Sequence, residues 1–419
     1  MVYGSAEMTS KTMEDRYHRG LAPRLPDAVW QHRIGQCRDL LARHGVAAGL
    51  VYSGGQPLTG SGWARYFANF VHSIWNSEVF ILIPVEHEPV LILNYQFMVD
   101  IAKQASSIED VRAYKFFGTD LYSPERYQPM WDLLTEVLGE LNLRGQKIGL
   151  CFSGMQGNFA PGPLIEMLRQ RLPTGVDLSR EFMDLLLVKT DYDIAQIRTS
   201  CEIGCRALTA AYEHVTEGSS PLDAFGAFIK TAGDAGAEFP GIFPETWHMT
   251  VKGGVEVPNR PFWLRARRFV SGDMVPIDTG TTYNGYPHDM GRTGVVGKPT
   301  GDQQRLHDAN WEAHQRMRDA LRPGVKASEI SLINFAVAKE RGYEKIHDLQ
   351  GHGIGFFENE SPILVPWSDV VIRENMVINI ECLMYVPNFA SSLIEDTYLV
   401  TKDGAEWLTE SISPALHVG

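Results

Sequence analysis

Apolar positions recur at helical spacing from Ala28 to His44, where Trp30, Ile34, Cys37, Leu40 and Leu41 share a face and Gly45 supplies a stop. Three short β-rich runs follow, Val46 to Tyr52, Val79 to Pro84 and Pro89 to Asn94, and then a helical pattern from Tyr127 to Leu141. Strands alternating with helices predict a small α/β domain over residues 29–185. Residues 1–28, polar and punctuated by proline, read as an arm.

Beyond Leu185 the pattern changes. A helix opens at about Tyr192, with Thr190 as N-cap and Asp193 as its capping-box partner, and Ile194, Ile197, Cys201, Cys205, Leu208 and Tyr212 form its apolar stripe. A second helix follows Pro221. Two strand-like runs, from Met274 and from His288, flank the turn-like Thr-Tyr-Asn-Gly-Tyr-Pro. Helices are expected again at about Asp302 to Leu321 and Ser328 to Arg341, followed by strand-like runs at Val377 to Glu381 and Leu393 to Thr401. Helix, helix, strand pair therefore occurs twice, which implies a quasi-repeated domain over 186–419.

Composition narrows the function. The 419 residues allow two or three domains, and a 44% hydrophobic content suffices for large cores. A net charge of -13 argues against nucleic acid or an anionic membrane as main partner. Five scattered cysteines, Cys37, Cys151, Cys201, Cys205 and Cys382, suggest reduced thiols in a cytoplasmic enzyme. No apolar run approaches the roughly 20 residues that span a bilayer, and the first residues do not read as a secretory signal.

Five residues of the second domain carry candidate chemistry: Asp278, Asp289, His352, Glu381 and Glu395. Four are carboxylates set among β-branched or aliphatic residues, where a charge needs a partner and a cation supplies one. His352, in Gly-His-Gly-Ile-Gly, has no bulky neighbours. Such a set suits manganese, iron, cobalt or zinc, without the thiolates that favour softer ions. Alternation turns Cys382 away from that face.

These residues carry a resemblance. Asp278 and Asp289 eleven apart, Asp-Met-Gly-Arg-Thr, Gly-His-Gly-Ile-Gly, the Ile-Glu381 strand and Ile-Glu-Asp-Thr-Tyr-Leu-Val-Thr resemble the pita-bread metalloenzyme superfamily of creatinase, prolidase, aminopeptidase P and methionine aminopeptidase. Leu187 to Arg198 looks like the usual opening of its catalytic domain. The resemblance implies an α/β (α+β) fold: a creatinase-type N-terminal domain, then a pita-bread catalytic domain with pseudo-twofold halves. It also implies two divalent metal ions, with Asp278 on one, His352 and Glu381 on the other, and Asp289 and Glu395 bridging them about 3.5–4 Å apart. A bridging hydroxide would attack an amide carbonyl, and Glu381 would carry the proton to the leaving nitrogen. Relatives with this N-terminal domain are usually homodimers, so a homodimer is expected.

Departures from the peptidases fall in the substrate shell. The histidine they carry seven residues after the metal histidine is Asn359 here, and their Pro-His segment reads Pro258-Asn259. The aminopeptidase P histidine four before the metal histidine is Asp348. Asparagine still donates a hydrogen bond, so the expected function remains hydrolysis of a small dipeptide-like or amino-acid-derived amide, of Xaa-Pro dipeptidase type. Asn259, His347 and Asn359 are candidate substrate-binding residues.

The alternative is a lyase. Trp75-Asn76 and Glu358, six after His352, resemble the superfamily's dimethylsulfoniopropionate lyase, in which that acid is the base for elimination and the tryptophan faces the substrate cation. Its extra aspartate near the first metal aspartate is missing, since Pro276 and Gly280 flank Asp278. Trp75 is thus a candidate substrate residue and Glu358 a candidate catalytic one. Trp63 and Tyr66 sit where the creatinase-type domains that this chain resembles have an aromatic strand, so they are expected in the core.

Overall fold

The computed structural model describes residues 24–54, 62–70, 78–115, 124–154, 159–245, 249–250, 256–257, 268–343, 348–386 and 389–419. Trp75, Asn76, Asn259 and His347 lie outside them. Helix α1 (Asp27–Arg43) buries the predicted stripe of Trp30, Ile34, Cys37, Leu40 and Leu41 and begins one residue earlier than its apolar pattern. Strands β1 (Ala48–Gly54), β2 (Glu78–Pro84), β3 (Val90–Leu93), β4 (Asp110–Ala113), β5 (Ile148–Cys151) and β6 (Gly175–Asp177) form one sheet in the order β4-β3-β2-β1-β5-β6. The pairings β1/β5, β3/β4 and β5/β6 are parallel, while β2 runs antiparallel to both neighbours.

One sequence expectation fails here. Trp63 and Tyr66 are buried, as expected, but on a helix, α2 (Gly62–Ala68), rather than a strand. Every residue of α2 is buried, so no polar face marks it as helical in the sequence. Helices α3 (Val99–Ala105), α4 (Gln128–Glu140), α5 (Gly162–Arg171) and α6 (Ser179–Asp184) complete this N-terminal α/β unit.

The second unit opens with α7 (Asp191–Tyr212). Its capping box is made: Thr190 Oγ1 accepts from Asp193 N (3.3 Å), and Asp193 Oδ2 accepts from Thr190 N (2.9 Å). Asp193 also binds Arg33 of α1 and accepts from Tyr286 Oη at 2.7 Å, so a helix cap doubles as a buried tie between the units. Cys201 and Cys205 are free thiols on the buried face. Helix α8 (Pro221–Asp234) follows, then strands β7 (Glu238–Glu245), β8 (Met249–Thr250) and β9 (Glu256–Val257).

The hairpin β10 (Met274–Tyr283) and β11 (Tyr286–Val295) turns through Asn284 and Gly285, at φ 50° and 76°. Asparagine and glycine tolerate this left-handed geometry, which matches the twist of the strands. Helices α9 (Gly301–Ala320) and α10 (Ala327–Glu340) precede β12 (Gly351–Gly353), β13 (Glu360–Ile363), β14 (Val377–Val386), β15 (Ala390–Val400), β16 (Ala405–Trp407) and β17 (His417–Val418). The main path of this second sheet is β13-β12-β14-β15-β11-β10-β8-β9. Two helix pairs and two long hairpins therefore repeat as expected, and β11 meets β15 where the halves join. This is the pita-bread arrangement.

Candidate metal centre

Register brings the acidic residues together. On β10 and β11, Asp278 stands opposite Gly291 and Asp289 opposite Gly280, so both carboxylates lie on one face, each facing a residue without a side chain. Gly291 also pairs with Glu395 across the seam of the two halves. A Cβ on Gly291 would stand 3.0 Å from Glu395 Oε2 and 2.8 Å from Leu393 Cγ, so glycine there leaves room for the carboxylate. Next along the sheet, Glu381 on β14 stands opposite Glu395 on β15, and His352 on β12 opposite Asn379 on β14.

The ligand atoms converge. Asp289, His352 and Glu395 each offer one atom within 4.8 Å of the others, and their exposures of 6%, 2% and 1% leave little water to screen them. His352 Nε2 is 3.3 Å from Asp289 Oδ2, while its Nδ1 stands 3.0 Å from the Gly353 carbonyl, which selects the tautomer with Nε2 free to bind. Burial pulls the His352 imidazole down, but the Asp289 and Glu381 carboxylates outweigh it and the net shift is upward. Glu395 is pushed well above the usual carboxylate range by burial and by the carboxylates of Asp278, Asp289 and Glu381. Its Oε2 is buried without a hydrogen-bond partner, whereas Oε1 accepts from Asn379 Nδ2 at 2.6 Å.

A cation relieves each of these costs. It would satisfy Glu395 Oε2, take His352 Nε2 as a nitrogen donor and offset the crowding of four carboxylates. The oxygen and nitrogen donor set fits borderline or hard divalent ions.

Two further devices hold the site, and neither stood out in the sequence. Arg292, fully buried, donates to the carbonyls of Gly291 and Glu395 (both 2.8 Å) and to Asp396 Oδ1 (2.6 Å), locking the seam from the opposite face of the sheet. Glu360 accepts from the backbone N–H groups of Phe356 and Phe357 (the latter at 2.9 Å) and from Lys189 Nζ (2.6 Å). That buried pair shapes the turn carrying Glu358 and Asn359. Glu358 is partly buried and reaches back over Gly280, on the face that carries Asp278, while Asn359 is buried. Cys382 turns away, its Sγ 3.5 Å from Met317 Sδ.

Comparison with known proteins points to the kinship. The metallopeptidase family M24 profile matches residues 195–402, the segment containing all five candidate ligands. Over 233 residues the chain is 35% identical to the Xaa-Pro dipeptidase of Pyrococcus furiosus, covering 54% of this chain and 64% of that protein.

By its profile match and its relatives, the chain is similar to the metallopeptidases of family M24.

Its match to the Xaa-Pro dipeptidase of Pyrococcus horikoshii, 32% identical, likewise spans 64% of that relative's length. The crystal structure of the prolidase from Pyrococcus horikoshii superposes with a TM-score of 0.73 at 26% identity, over 92% of this chain and 99% of that one. The Xaa-Pro dipeptidase from Bacillus anthracis shares the fold at 22% identity, with a TM-score of 0.73 over 93% of this chain and all of that one (100%). M24 is a metallopeptidase family, and the cluster around Glu395 suits the divalent ions that this implies. Among the described residues, no helix is long and apolar enough to cross a membrane.

Proposed function

We propose that this protein is a dinuclear metal-dependent hydrolase of Xaa-Pro dipeptidase type, cleaving the amide bond of a small dipeptide-like or amino-acid-derived substrate. The convergence of Asp289, His352 and Glu395, with the carboxylates of Asp278 and Glu381 acting on Glu395, carries this reading. The curated relatives that support it are Xaa-Pro dipeptidases.

In this reading Asp278, Asp289, His352, Glu381 and Glu395 hold two ions of manganese, iron, cobalt or zinc. When bound, such ions supply an acidified water, its pKa lowered from 15.7 towards about 7, and polarise the scissile carbonyl. Glu381 takes a proton from the attacking water on its carboxylate oxygen and returns it to the leaving nitrogen. Asn359 donates its amide N–H to the substrate oxygen as negative charge develops there, a task for which histidine is the alternative donor. Trp75, Asn259 and His347 remain candidate substrate contacts, and the protein works as a homodimer.

Assays of manganese-, iron- and cobalt-loaded protein on Xaa-Pro dipeptides test the proposal. Release of free proline, abolished by chelator and restored by metal, is expected. The position of Glu358 over Gly280 keeps the lyase in view. Release of dimethyl sulfide from dimethylsulfoniopropionate without any dipeptide cleavage would replace the hydrolase with it.

A further inference from the structure

Asn379 lies at the centre of the ligand set without belonging to it. In register it stands opposite His352 on one side and Thr397 on the other, and it shares a strand face with Glu381 two residues on. Its exposure is 0%, so its amide is surrounded by protein. Nδ2 donates to Glu395 Oε1 at 2.6 Å. Oδ1 lies 3.5 Å from the Thr397 hydroxyl, which donates to the Asp289 carbonyl at 3.0 Å. Glu395 binds metal as the carboxylate, which accepts and does not donate, so in that state the end of the amide facing it is its N–H.

The consequence concerns the two oxygens of Glu395. One is already engaged by an amide donor, and the other, Oε2, is buried and has no partner. We propose that Asn379 is a positioning residue for metal: by holding Oε1 it fixes the carboxylate plane and makes Oε2 the stronger donor, so that the two metal positions differ in affinity. The inference rests on the dinuclear reading above and adds to it an origin for unequal sites. Hydrogen-bonding partners of metal ligands orient them at small cost to the fold, and losing one weakens metal binding by about 10–100-fold.

Two variants separate positioning from packing and from charge. Asn379→Leu removes the donor at similar volume, and Asn379→Asp keeps the shape while replacing the donor with a negative charge. Chelator-stripped protein is titrated with cobalt(II) by calorimetry, and the visible absorption of the bound cobalt is recorded. The wild-type chain binds in two resolvable steps. Both variants, with wild-type circular dichroism, lose about 10–100-fold in one step and change the cobalt spectrum. Wild-type steps and spectra in both variants overturn the inference. So does tighter binding by Asn379→Asp beside an unchanged Asn379→Leu, because net charge alone then governs affinity. If Asn379→Leu does not fold, the isosteric Asn379→Asp decides alone, and wild-type or tighter binding there refutes the proposal. Wild-type protein that binds no cobalt at all would refute the metal reading itself, a different result from two equal sites.

Discussion

Glu358 Oε1 lies 2.9 Å from the point where a Cβ on Gly280 would stand. The contact is with the far end of a flexible side chain, so Gly280→Ala is expected to displace the Glu358 carboxylate while changing stability by less than about 1 kcal/mol. If that carboxylate touches substrate, Gly280→Ala and Glu358→Ala lower kcat/KM in the same direction. The double variant then loses little more than Glu358→Ala alone, because both changes remove one contact. Fully additive losses would show that Glu358 and residue 280 act separately.

The Lys189–Glu360 pair bears on stability. Both side chains are buried, and Nζ also donates to the Leu186 carbonyl at 2.5 Å. Lys189→Met strands Glu360 as an unpaired buried charge, at a cost of about 3–5 kcal/mol. Adding Glu360→Gln removes that charge while retaining an acceptor for the Phe356 and Phe357 amides. The double variant should therefore be more stable than Lys189→Met in urea denaturation. The opposite order would mean that Glu360 is held mainly by those amides.

Acid sensitivity should track a buried imidazole. Burial lowers the pKa of His314 to about 4, against the opposing pull of Asp396. A folded-state value below the unfolded 6.5 means that the unfolded chain takes up the proton first. Stability from the neutral ring is therefore present above pH 6.5 and lost as pH falls from there towards 4. The shift corresponds to about 3 kcal/mol. His314→Asn should flatten the pH dependence of the urea midpoint over that window by about one proton, measured in chelator against the wild-type chain. Parallel curves would show that His314 does not titrate there.

Much of this architecture was legible in the chain because burial makes charge conspicuous. Asp278, Asp289, Glu381 and Glu395 stand out as acids within apolar β-runs, and alternation assigns them a face without any coordinates. Asn379 is as central, yet an asparagine in a strand raises no such question, and only register reveals it beside Glu395. Lys189 and Glu360 are 171 residues apart, so nothing local links them. The creatinase-type resemblance puts Trp63 and Tyr66 on a strand, whereas this chain forms a helix there. Burial of α2 on every side removed the periodicity that would have corrected that expectation.

Losing a ligand should act on metal before it acts on fold. Asp289→Asn removes one of the charges that crowd Glu395 and also the carboxylate beside His352 Nε2; the two effects oppose, so the metal-free variant should stay folded. Its ion content and activity should both fall. A variant that unfolds yet retains full ion content would contradict the assignment of Asp289 as a ligand.

The central claim is that these residues hold divalent ions, and elemental analysis of purified protein tests it most directly. Two ions per chain after loading, with activity lost to chelator and regained on adding metal, is the predicted result. Well under one ion per chain, with activity indifferent to chelator, would contradict it.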